Sequence, residues 1–323
     1  MKKWIATLAT AAFVLPLGAH AAYPERPMTW IVPFAAGGPT DAMARNIANR
    51  LSQELGESIV IENAPGAGGT IGSTKAARAA NDGYTFLVGH IGYMAAAPSL
   101  YPSLRYDPVK DFDAVFRFPD TPLVLLTGEK SPFKSAQDLI EHAKKNPGAL
   151  NFGTAGVGST SHLVAAMFAA NAGIDIQTIA YRGAGPALND LMGGQVDAMF
   201  DQTNTALPQT NGGKIKALGL TSAERMPQFP DVETMKEGAI PNFQVSTWYG
   251  LYAPKGAPKE AIDTLFAAYE RIMKDGDFTG KMVSQGILLL SDQDYSPAVF
   301  QQYTADEGKR WKEVIQQAGI KLE

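Results

Sequence analysis

Residues 28–62 read MTWIVPFAAGGPTDAMARNIANRLSQELGESIVIE, and this stretch decides the fold class. Its first part, residues 28–34, is apolar and rich in β-branched and aromatic residues, which predicts a buried strand. Apolar residues then recur every three to four positions over residues 39–55, which predicts a helix. A second apolar run at residues 58–62 predicts another strand. The order strand, helix, strand favours a parallel sheet covered by helices, and hence an α/β fold.

The same alternation continues along the chain in two blocks. The first block adds a helix over residues 69–80 and a strand over residues 84–88. A C-terminal part follows the second block, with strands at 245–253 and 287–290 and helices at 258–274 and 297–317. Extended segments are predicted at 114–118 and 123–127, before the alternation restarts. In the second block we predict helices at 135–145, 159–172 and 186–192, and strands at 151–154, 178–181, 197–200 and 215–221.

Two α/β blocks of this size predict two lobes. The chain would cross between them twice, near residues 120–126 and 243–249. Lobe one then contains residues 22–122 and 246–323, and lobe two contains residues 123–245. A hinge of two crossings lets the lobes close on a ligand in the cleft between them.

The N-terminus predicts export. Residues 1–21 combine lysines at positions 2 and 3, an apolar run at 4–17, and alanines at positions 19 and 21, which is the layout of a secretory signal peptide. We expect cleavage after Ala21, with Ala22 as the alternative. The apolar run is too short to span a bilayer. We therefore expect a periplasmic protein, which has no ATP or NAD(P)H pool to use.

Composition excludes several classes of function. The net charge of -4, with no Lys/Arg-rich stripe, argues against a nucleic-acid binder. The absence of cysteine excludes disulfides and thiolate chemistry. Residues 65–72 imitate a dinucleotide fingerprint, but Ile71 stands where its last glycine or alanine belongs. No paired-histidine spacing suggests a metal. We expect no metal, no cofactor and no catalytic residue.

Three Gly-rich segments follow predicted strands and open helices: residues 33–41, 153–162 and 181–186. Helix N-termini at such turns expose unpaired N–H groups and a partial positive charge. Ligands of open α/β sheets lie at these strand ends, so the turns suit a carboxylate. The alternative for each turn is a tight connection without a ligand. Ser159, Thr160 and Ser161 are also good N-caps, which is compatible with binding.

Several single polar and aromatic residues near the predicted cleft each allow two interpretations, a role in ligand binding or a purely structural role. His90 ends a strand that faces the cleft and is a candidate ligand contact. Asp41 could stabilise a helix dipole, and Asp201 could pair with Arg182. Ser159 and His162 lie one helical turn apart, but the Gly-x-Ser-x-Gly motif of a hydrolase is absent. For Phe34, Tyr93, Trp248 and Tyr249 the alternatives are a wall of the cleft and ordinary core packing.

Many spaced motifs together resemble one known family. The chain carries Tyr-Pro-Glu-Arg-Pro at 23–27, Val-Pro-Phe-Ala-Ala-Gly-Gly-Pro-Thr-Asp at 32–41 and Asn-Ala-Pro-Gly-Ala-Gly-Gly-Thr-Ile-Gly at 63–72. This order is similar to that of the Bug-type solute receptors, the extracytoplasmic binding proteins of tripartite tricarboxylate transporters. The resemblance covers nearly all of the predicted mature chain. Further matching segments are 82–85, 106–108, 111–112, 153–156, 181–183 and 253–256.

The resemblance implies a two-lobed periplasmic binding fold of type II, a Venus flytrap that closes on a small ligand. It implies that backbone groups and waters near the first Gly-Gly turn hold the ligand's carboxylate. The chain departs from the family at residues 89–94, Gly-His-Ile-Gly-Tyr-Met, where relatives often carry an Ala-Ile-Asn-like segment. Tyr93 and Met94 there could accept a bulkier acid. Carried over by resemblance, the ligand residues are Phe34, Ala36, Gly38, Thr40 and Asp41 in lobe one, and Thr154, Ala155, Ser159, Thr160, His162 and Asp201 in lobe two; His90 and Tyr93 join them from the departing segment.

The combined expectation is a periplasmic solute-binding protein, a monomer and not an enzyme. It would capture a di- or tricarboxylate, an acidic amino acid or an aromatic dicarboxylate, and deliver it to the membrane subunits of a transporter. A secreted α/β hydrolase and a ligand sensor of a two-component system are the alternatives.

Overall fold

The structure, a computed structural model, describes residues 23–320. The predicted signal peptide and its cleavage site lie outside this range. The strands are β1 (Met28–Val32), β2 (Ile59–Asn63), β3 (Thr85–His90), β4 (Phe112–Arg117), β5 (Thr121–Gly128), β6 (Asn151–Thr154), β7 (Gln177–Ala180), β8 (Ala198–Gln202), β9 (Ile215–Leu220), β10 (Ser246–Thr247) and β11 (Tyr249–Pro254). The α-helices are α1 (Pro39–Leu55), α2 (Thr70–Ala77), α3 (Ala97–Leu100), α4 (Ala136–Lys145), α5 (Thr160–Ala172), α6 (Ala184–Met192), α7 (Thr203–Asn211), α8 (Lys259–Met273), α9 (Gly276–Ser284) and α10 (Pro297–Gln317).

The first sheet has the strand order β2-β1-β3-β11-β4. Strand β1 runs parallel to both β2 and β3, as the strand–helix–strand pattern predicts. Strand β11 runs antiparallel to β3 and β4, so the C-terminal part of the chain returns to this sheet. Helix α1 begins at Pro39 and ends at Leu55, where Gly56 takes the left-handed conformation that closes the helix.

The second sheet has the order β10-β5-β8-β6-β7, with β9 beside β5. Strand β6 is parallel to β7 and β8, and β5 is antiparallel to β8 and β9. This sheet is built from the middle of the chain and is therefore inserted between strands of the first sheet. The first residue of this sheet along the chain, Thr121 in β5, pairs with the last one, Thr247 in β10. The chain enters this sheet at Thr121 and leaves it at Thr247.

The prediction of a strand at residues 287–290 is wrong. Leu288 makes only a single antiparallel bridge, with Asp120, and the next residue, Leu289, is largely exposed. Gly286 precedes this segment with a φ of 77°, a left-handed turn that prevents a regular strand from starting there. Helices α7 and α9 lie where no helix is predicted, because α7 contains Pro208 and α9 contains two glycines.

Each sheet packs against its own group of aromatic side chains. This packing fixes the positions of the strand ends at the site. Under the first sheet, Phe116 stacks on Tyr269 with ring centroids 4.0 Å apart. In the second lobe, Phe168 packs edge-to-face on Phe200, with centroids 5.4 Å apart. At the second crossing, Trp248 donates from Nε1 to Glu307 Oε2 at 2.8 Å. Over residues 23–320, no helix combines the length and apolar character that a membrane crossing needs.

Candidate functional site

Three helix N-termini meet between the two sheets. They are the starts of α1 after Gly38, of α5 after Ser159, and of α6 at Ala184. A Cβ placed on Gly38 would lie 3.6 Å from the Gly185 nitrogen and 3.7 Å from the Ala184 nitrogen, so α1 and α6 approach closely across the cleft. The cavity at this junction has a volume of about 10 Å³, roughly the space of one water molecule. Its lining residues are Phe34, Gly38, Pro39, Thr40, His90, Ala155, Ser159, Thr160, Ser161, Ala184 and Gln202.

The start of α5 is shaped by serine hydroxyls. Ser159 is the N-cap, and its Oγ accepts the His162 N–H at 3.4 Å. Ser161 Oγ accepts the Ala155 N–H at 2.8 Å and lies 3.1 Å from Ser159 Oγ. The N–H groups of Thr160 and Ser161 have no acceptor within residues 23–320. Two backbone donors at a positive helix end therefore remain available in the cavity wall.

His90 joins the lobes through its side chain. Its Nδ1 accepts the Gly92 N–H at 3.0 Å, so in the neutral ring the proton is on Nε2. Nε2 lies 2.9 Å from Thr160 Oγ1 and donates to it. Burial lowers the pKa of His90 to about 3, so the ring is neutral at physiological pH. The contact is thus a neutral hydrogen bond between the end of β3 and the first residue of α5.

Asp41 holds the first Gly-Gly turn in shape. Its Oδ2 accepts the Gly37 N–H at 3.0 Å and Arg45 Nε at 2.9 Å, and its Oδ1 accepts Asn63 Nδ2 at 2.9 Å. Burial acts to raise the pKa of Asp41, but the hydrogen bonds from Arg45, Gly37 and Asn63 outweigh it and lower the pKa. Its oxygens are therefore used within lobe one, beside the cavity and not in its lining.

Asp201 lies at the end of β8, fully buried. Its Oδ2 accepts the Thr205 hydroxyl at 2.7 Å, while its Oδ1 has no partner among the described residues. Burial raises the pKa of Asp201 to about 7 against the opposing hydrogen bonds. The predicted pairing with Arg182 is wrong, because Arg182 is exposed and forms no ion pair within residues 23–320. Instead the Arg182 carbonyl accepts the Ala35 N–H from the other lobe at 3.2 Å.

Some of the predicted site residues line the cavity, and others lie outside its lining. Tyr93 stands behind the wall, where it stacks on His90 with centroids 5.3 Å apart. Thr154 is buried under the second turn, with its Oγ1 3.4 Å from the Ile179 carbonyl, and Ala36 is exposed. Met94 lies in an outer groove against α10. Those that line the cavity are Phe34, Gly38, Thr40, His90, Ala155, Ser159 and Thr160.

Sequence reasoning left four lining residues out of the predicted site: Pro39, Ser161, Ala184 and Gln202. Ser161 and Ala184 belong to Gly-rich turns that the sequence analysis identified, so their segments could have supplied them. Gln202 follows Asp201 on β8, and neighbouring strand residues point to opposite faces. A choice between these two residues needs the register of the strand, which the sequence does not contain.

Ser159 and His162 do not form a nucleophile–base pair. The Ser159 hydroxyl meets the backbone N–H of His162, and His162 Nδ1 accepts the Gly158 N–H at 3.2 Å. This is the geometry of a helix cap. Within residues 23–320, no group of three or more His, Cys, Asp or Glu side chains is placed to hold a metal ion.

Two further hydrogen bonds join the lobes. The Tyr101 hydroxyl, in lobe one, donates to the Val157 carbonyl at 2.8 Å. Asn204 Nδ2, in lobe two, donates to the Pro39 carbonyl at 3.4 Å. Both bonds join a residue of the first sheet's side to one of the second sheet's side.

Comparison with known proteins gives one consistent family. Residues 43–320 match the sequence model of the tripartite tricarboxylate transporter family receptor. The solved structure of the periplasmic binding protein BugD is 40% identical, with a TM-score of 0.89 over 93% of this chain and 100% of that one. MatC of Rhodopseudomonas palustris, solved with malate, is 38% identical, with a TM-score of 0.86 over 91% of this chain and 100% of that one. Protein BugT of Bordetella pertussis is 36% identical over 98% of this chain and 96% of its own length. The predicted two-lobed periplasmic binding fold is confirmed.

Proposed function

This chain belongs to the family of tripartite tricarboxylate transporter receptors, and from that premise we propose that it captures a small carboxylate in the periplasm and delivers it to membrane subunits. The family is one of solute-binding receptors and not a class of enzymes. The ligand class, the location and the transporter partner of this chain are the proposed parts.

One observation carries the proposal: the cavity is bordered by three helix N-termini. The free N–H groups of Thr160 and Ser161 and the hydroxyls of Thr40, Ser159 and Thr160 supply donors. Among the described residues, no Asp, Glu, Lys or Arg side chain lines the cavity. An anion there gains from the helix dipoles without any opposing carboxylate in the wall, and a carboxylate matches these donors.

The relatives support a small aliphatic acid. MatC was solved with malate, and an R. palustris protein 33% identical to this chain was solved with adipate. The case for an aromatic acid weakens, because Tyr93 is used behind His90 and Met94 lies in the outer groove. We therefore favour a dicarboxylate or an acidic amino acid.

In this proposal, ligand binding stabilises the closed lobes over the open ones by differential contact. Lobe one, residues 22–122 and 246–323, supplies the α1 terminus and His90. Lobe two, residues 123–245, supplies the α5 and α6 termini. The lobes rotate about the crossings at Thr121 and Thr247, where the two sheets meet.

The test is a thermal-shift screen of the mature protein against succinate, malate, adipate, aspartate, glutamate and phthalate. A ligand at about 100 times its dissociation constant should add about 2.7 kcal/mol to the free energy of unfolding. We expect a clear rise in Tm with at least one aliphatic acid, and recovery of the acid unchanged after incubation. No shift with any of these acids, but a shift with uncharged solutes, would overturn the proposal.

A further inference from the structure

The two crossings between the sheets lie side by side. The first is the segment 118–120 between β4 and β5, and the second is the single residue Trp248 between β10 and β11. The Phe118 N–H, in the first crossing, donates at 2.9 Å to the carbonyl of Tyr249, which follows the second crossing. A rotation of one lobe against the other must change the backbone angles of these few residues. Side chains that hold them in place therefore act on the angle between the lobes.

Trp248 is fixed by a buried carboxylate of α10. Its Nε1 donates to Glu307 Oε2 at 2.8 Å, and the same oxygen accepts Arg310 Nη2 at 2.8 Å and Trp311 Nε1 at 3.2 Å. Glu307 is 6% exposed and Trp248 is 1% exposed. Three of the four residues belong to α10, so only the bond from Trp248 joins the second crossing to the helix.

The first crossing is tied to the same helix by Tyr303, one turn before Glu307. Arg117, the last residue of β4, lies over the Tyr303 ring with its Cζ 3.8 Å from the ring centroid. The same guanidinium donates to both carboxylate oxygens of Asp120, at 2.8 Å and 3.0 Å, and so spans the crossing. Tyr303 also packs edge-to-face on Trp248, with centroids 5.6 Å apart. One face of α10 thus holds both crossings.

A carboxylate is costly at the position of Glu307. A buried charge loses its bonds to water, and an apolar side chain of similar volume often packs in its place with no loss of stability. The carboxylate adds direction, because a hydrogen bond weakens steeply when its angle departs from the preferred range. It therefore favours one orientation of the Trp248 indole, and apolar packing does so far less.

We propose that Glu307 is a positioning residue for the hinge, and that it favours the arrangement with the lobes in contact. The structure shows this arrangement, since the Tyr101 hydroxyl bonds to the Val157 carbonyl while the bond from Trp248 to Glu307 is formed. In the proposal the latter bond is lost when the second crossing turns and the lobes separate. Among the described residues, neither Glu307 nor Trp248 lines the cavity. The inference rests on the proposed function, in which closure binds the solute, but the hinge can be measured without a ligand.

The experiment is pulsed electron spin resonance on the ligand-free mature protein. The chain contains no cysteine, so Asn49→Cys on α1 and Lys144→Cys on α4, both exposed, place one spin label on each lobe. The distribution of label distances gives the ratio of protein with the lobes in contact to protein with the lobes apart. We expect Glu307→Met, and equally Trp248→Phe, to lower this ratio at least threefold. The double variant should lower it no further, because both changes remove the same bond.

Trp311→Phe is the matched control. It removes the other indole that donates to Glu307, but both residues belong to α10, so the ratio should stay as in the wild type. An unchanged ratio in both Glu307→Met and Trp248→Phe would overturn the proposal, as would an equal fall in Trp311→Phe or additive effects in the double variant. Trp248→Phe decides even if Glu307→Met does not fold. Failure of every acid to bind the wild-type protein would contradict the proposed function and leave this result standing, because no ligand takes part in the measurement.

Discussion

At the scale of single residues, Ser159 connects stability with binding. Its hydroxyl caps α5 by accepting the His162 N–H, and the same residue lines the cavity. We predict that Ser159→Ala lowers the free energy of unfolding by about 1 kcal/mol, the usual value of a lost N-cap. It should also weaken carboxylate binding about tenfold, because the hydroxyl and the order of the neighbouring N–H groups are both lost. Chemical denaturation and calorimetry measure the two effects.

Ser135→Ala is the matched control, since Ser135 caps α4 by accepting the Asp138 N–H at 3.1 Å and lies away from the cavity. It should lose similar stability and keep full affinity. A Ser159→Ala protein with wild-type affinity would remove Ser159 from the site.

His90 gives a prediction about pH. Its pKa is about 3 in the folded protein and about 6.5 in an unfolded chain, so the unfolded state takes up the proton first as the pH falls. The stability that His90 contributes is therefore present above pH 6.5 and declines between pH 6.5 and pH 3. From pH 7.5 to pH 5 the loss amounts to roughly 2 kcal/mol. Asp201 acts in the opposite direction, because its raised pKa means that the folded state holds a proton more firmly between pH 4 and pH 7.

The measurement compares urea unfolding of the wild type and His90→Gln at pH 5 and pH 7.5. The difference in unfolding free energy between the two proteins should be larger at pH 7.5. A difference that is the same at both values would mean that His90 titrates alike in the folded and unfolded states.

At the scale of elements, the turn at Ala67–Gly69 contacts the other lobe. Gly68 has a φ of +61°, and a Cβ on it would lie 2.1 Å from the Val157 carbonyl oxygen. We predict that Gly68→Ala blocks closure and weakens ligand binding about tenfold or more, because the competent closed state becomes rarer. Small-angle scattering should show that the ligand no longer compacts the protein.

Gly173→Ala is the control for this variant. Gly173 closes α5 with a φ of +63° and has open space around its Cβ position. Both variants incur a similar left-handed strain of about 1 kcal/mol, so a loss of affinity in both would assign the effect to backbone strain and not to the lobe contact.

Elements with regular patterns could be predicted from the sequence. Helices α1 and α10 have the predicted bounds, because each begins with a proline and presents a clear apolar face. Helix α7 could not be predicted, since its residues are polar and Pro208 interrupts them. The segment at 287–290 is apolar enough for a strand. A strand also needs a neighbouring strand to pair with, and among the described residues this segment pairs only with Asp120.

Parts of the candidate site could likewise be predicted from the sequence, and other parts could not. The Gly-rich turns could be located because glycine and small polar residues follow strands there. The partners of each side chain could not be, because they come from distant segments. His90 meets Thr160 across 70 positions, and the choice of Gln202 over Asp201 for the lining depends on how β8 is set in its sheet.

At the scale of the whole molecule, the two lobes contact each other through a hydrogen bond that needs no ligand. The bond from the Tyr101 hydroxyl to the Val157 carbonyl lies outside the cavity lining. One such bond contributes about 0.5–1.5 kcal/mol. We predict that Tyr101→Phe weakens every ligand by the same factor, roughly two- to tenfold, because it lowers the population of the closed form. Calorimetry with two different acids measures this factor.

The control is Tyr84→Phe. Tyr84 is also half-buried in lobe one, and its hydroxyl accepts the Glu25 N–H, from the same lobe, at 3.1 Å. It should not alter affinity. Unequal factors for the two acids in Tyr101→Phe would indicate that Tyr101 touches the ligand.

The free N–H groups at the start of α5 have a consequence for how such proteins diversify. A peptide N–H is present in every residue except proline, so a substitution at these positions cannot easily remove it. Substitutions can therefore change the side chains around the cavity and the preferred solute, while the backbone N–H groups proposed to bind the acid remain. Under the proposed function, a gene duplicate of this chain keeps the groups that bind the acid, and selection acts on the residues that recognise the rest of the solute.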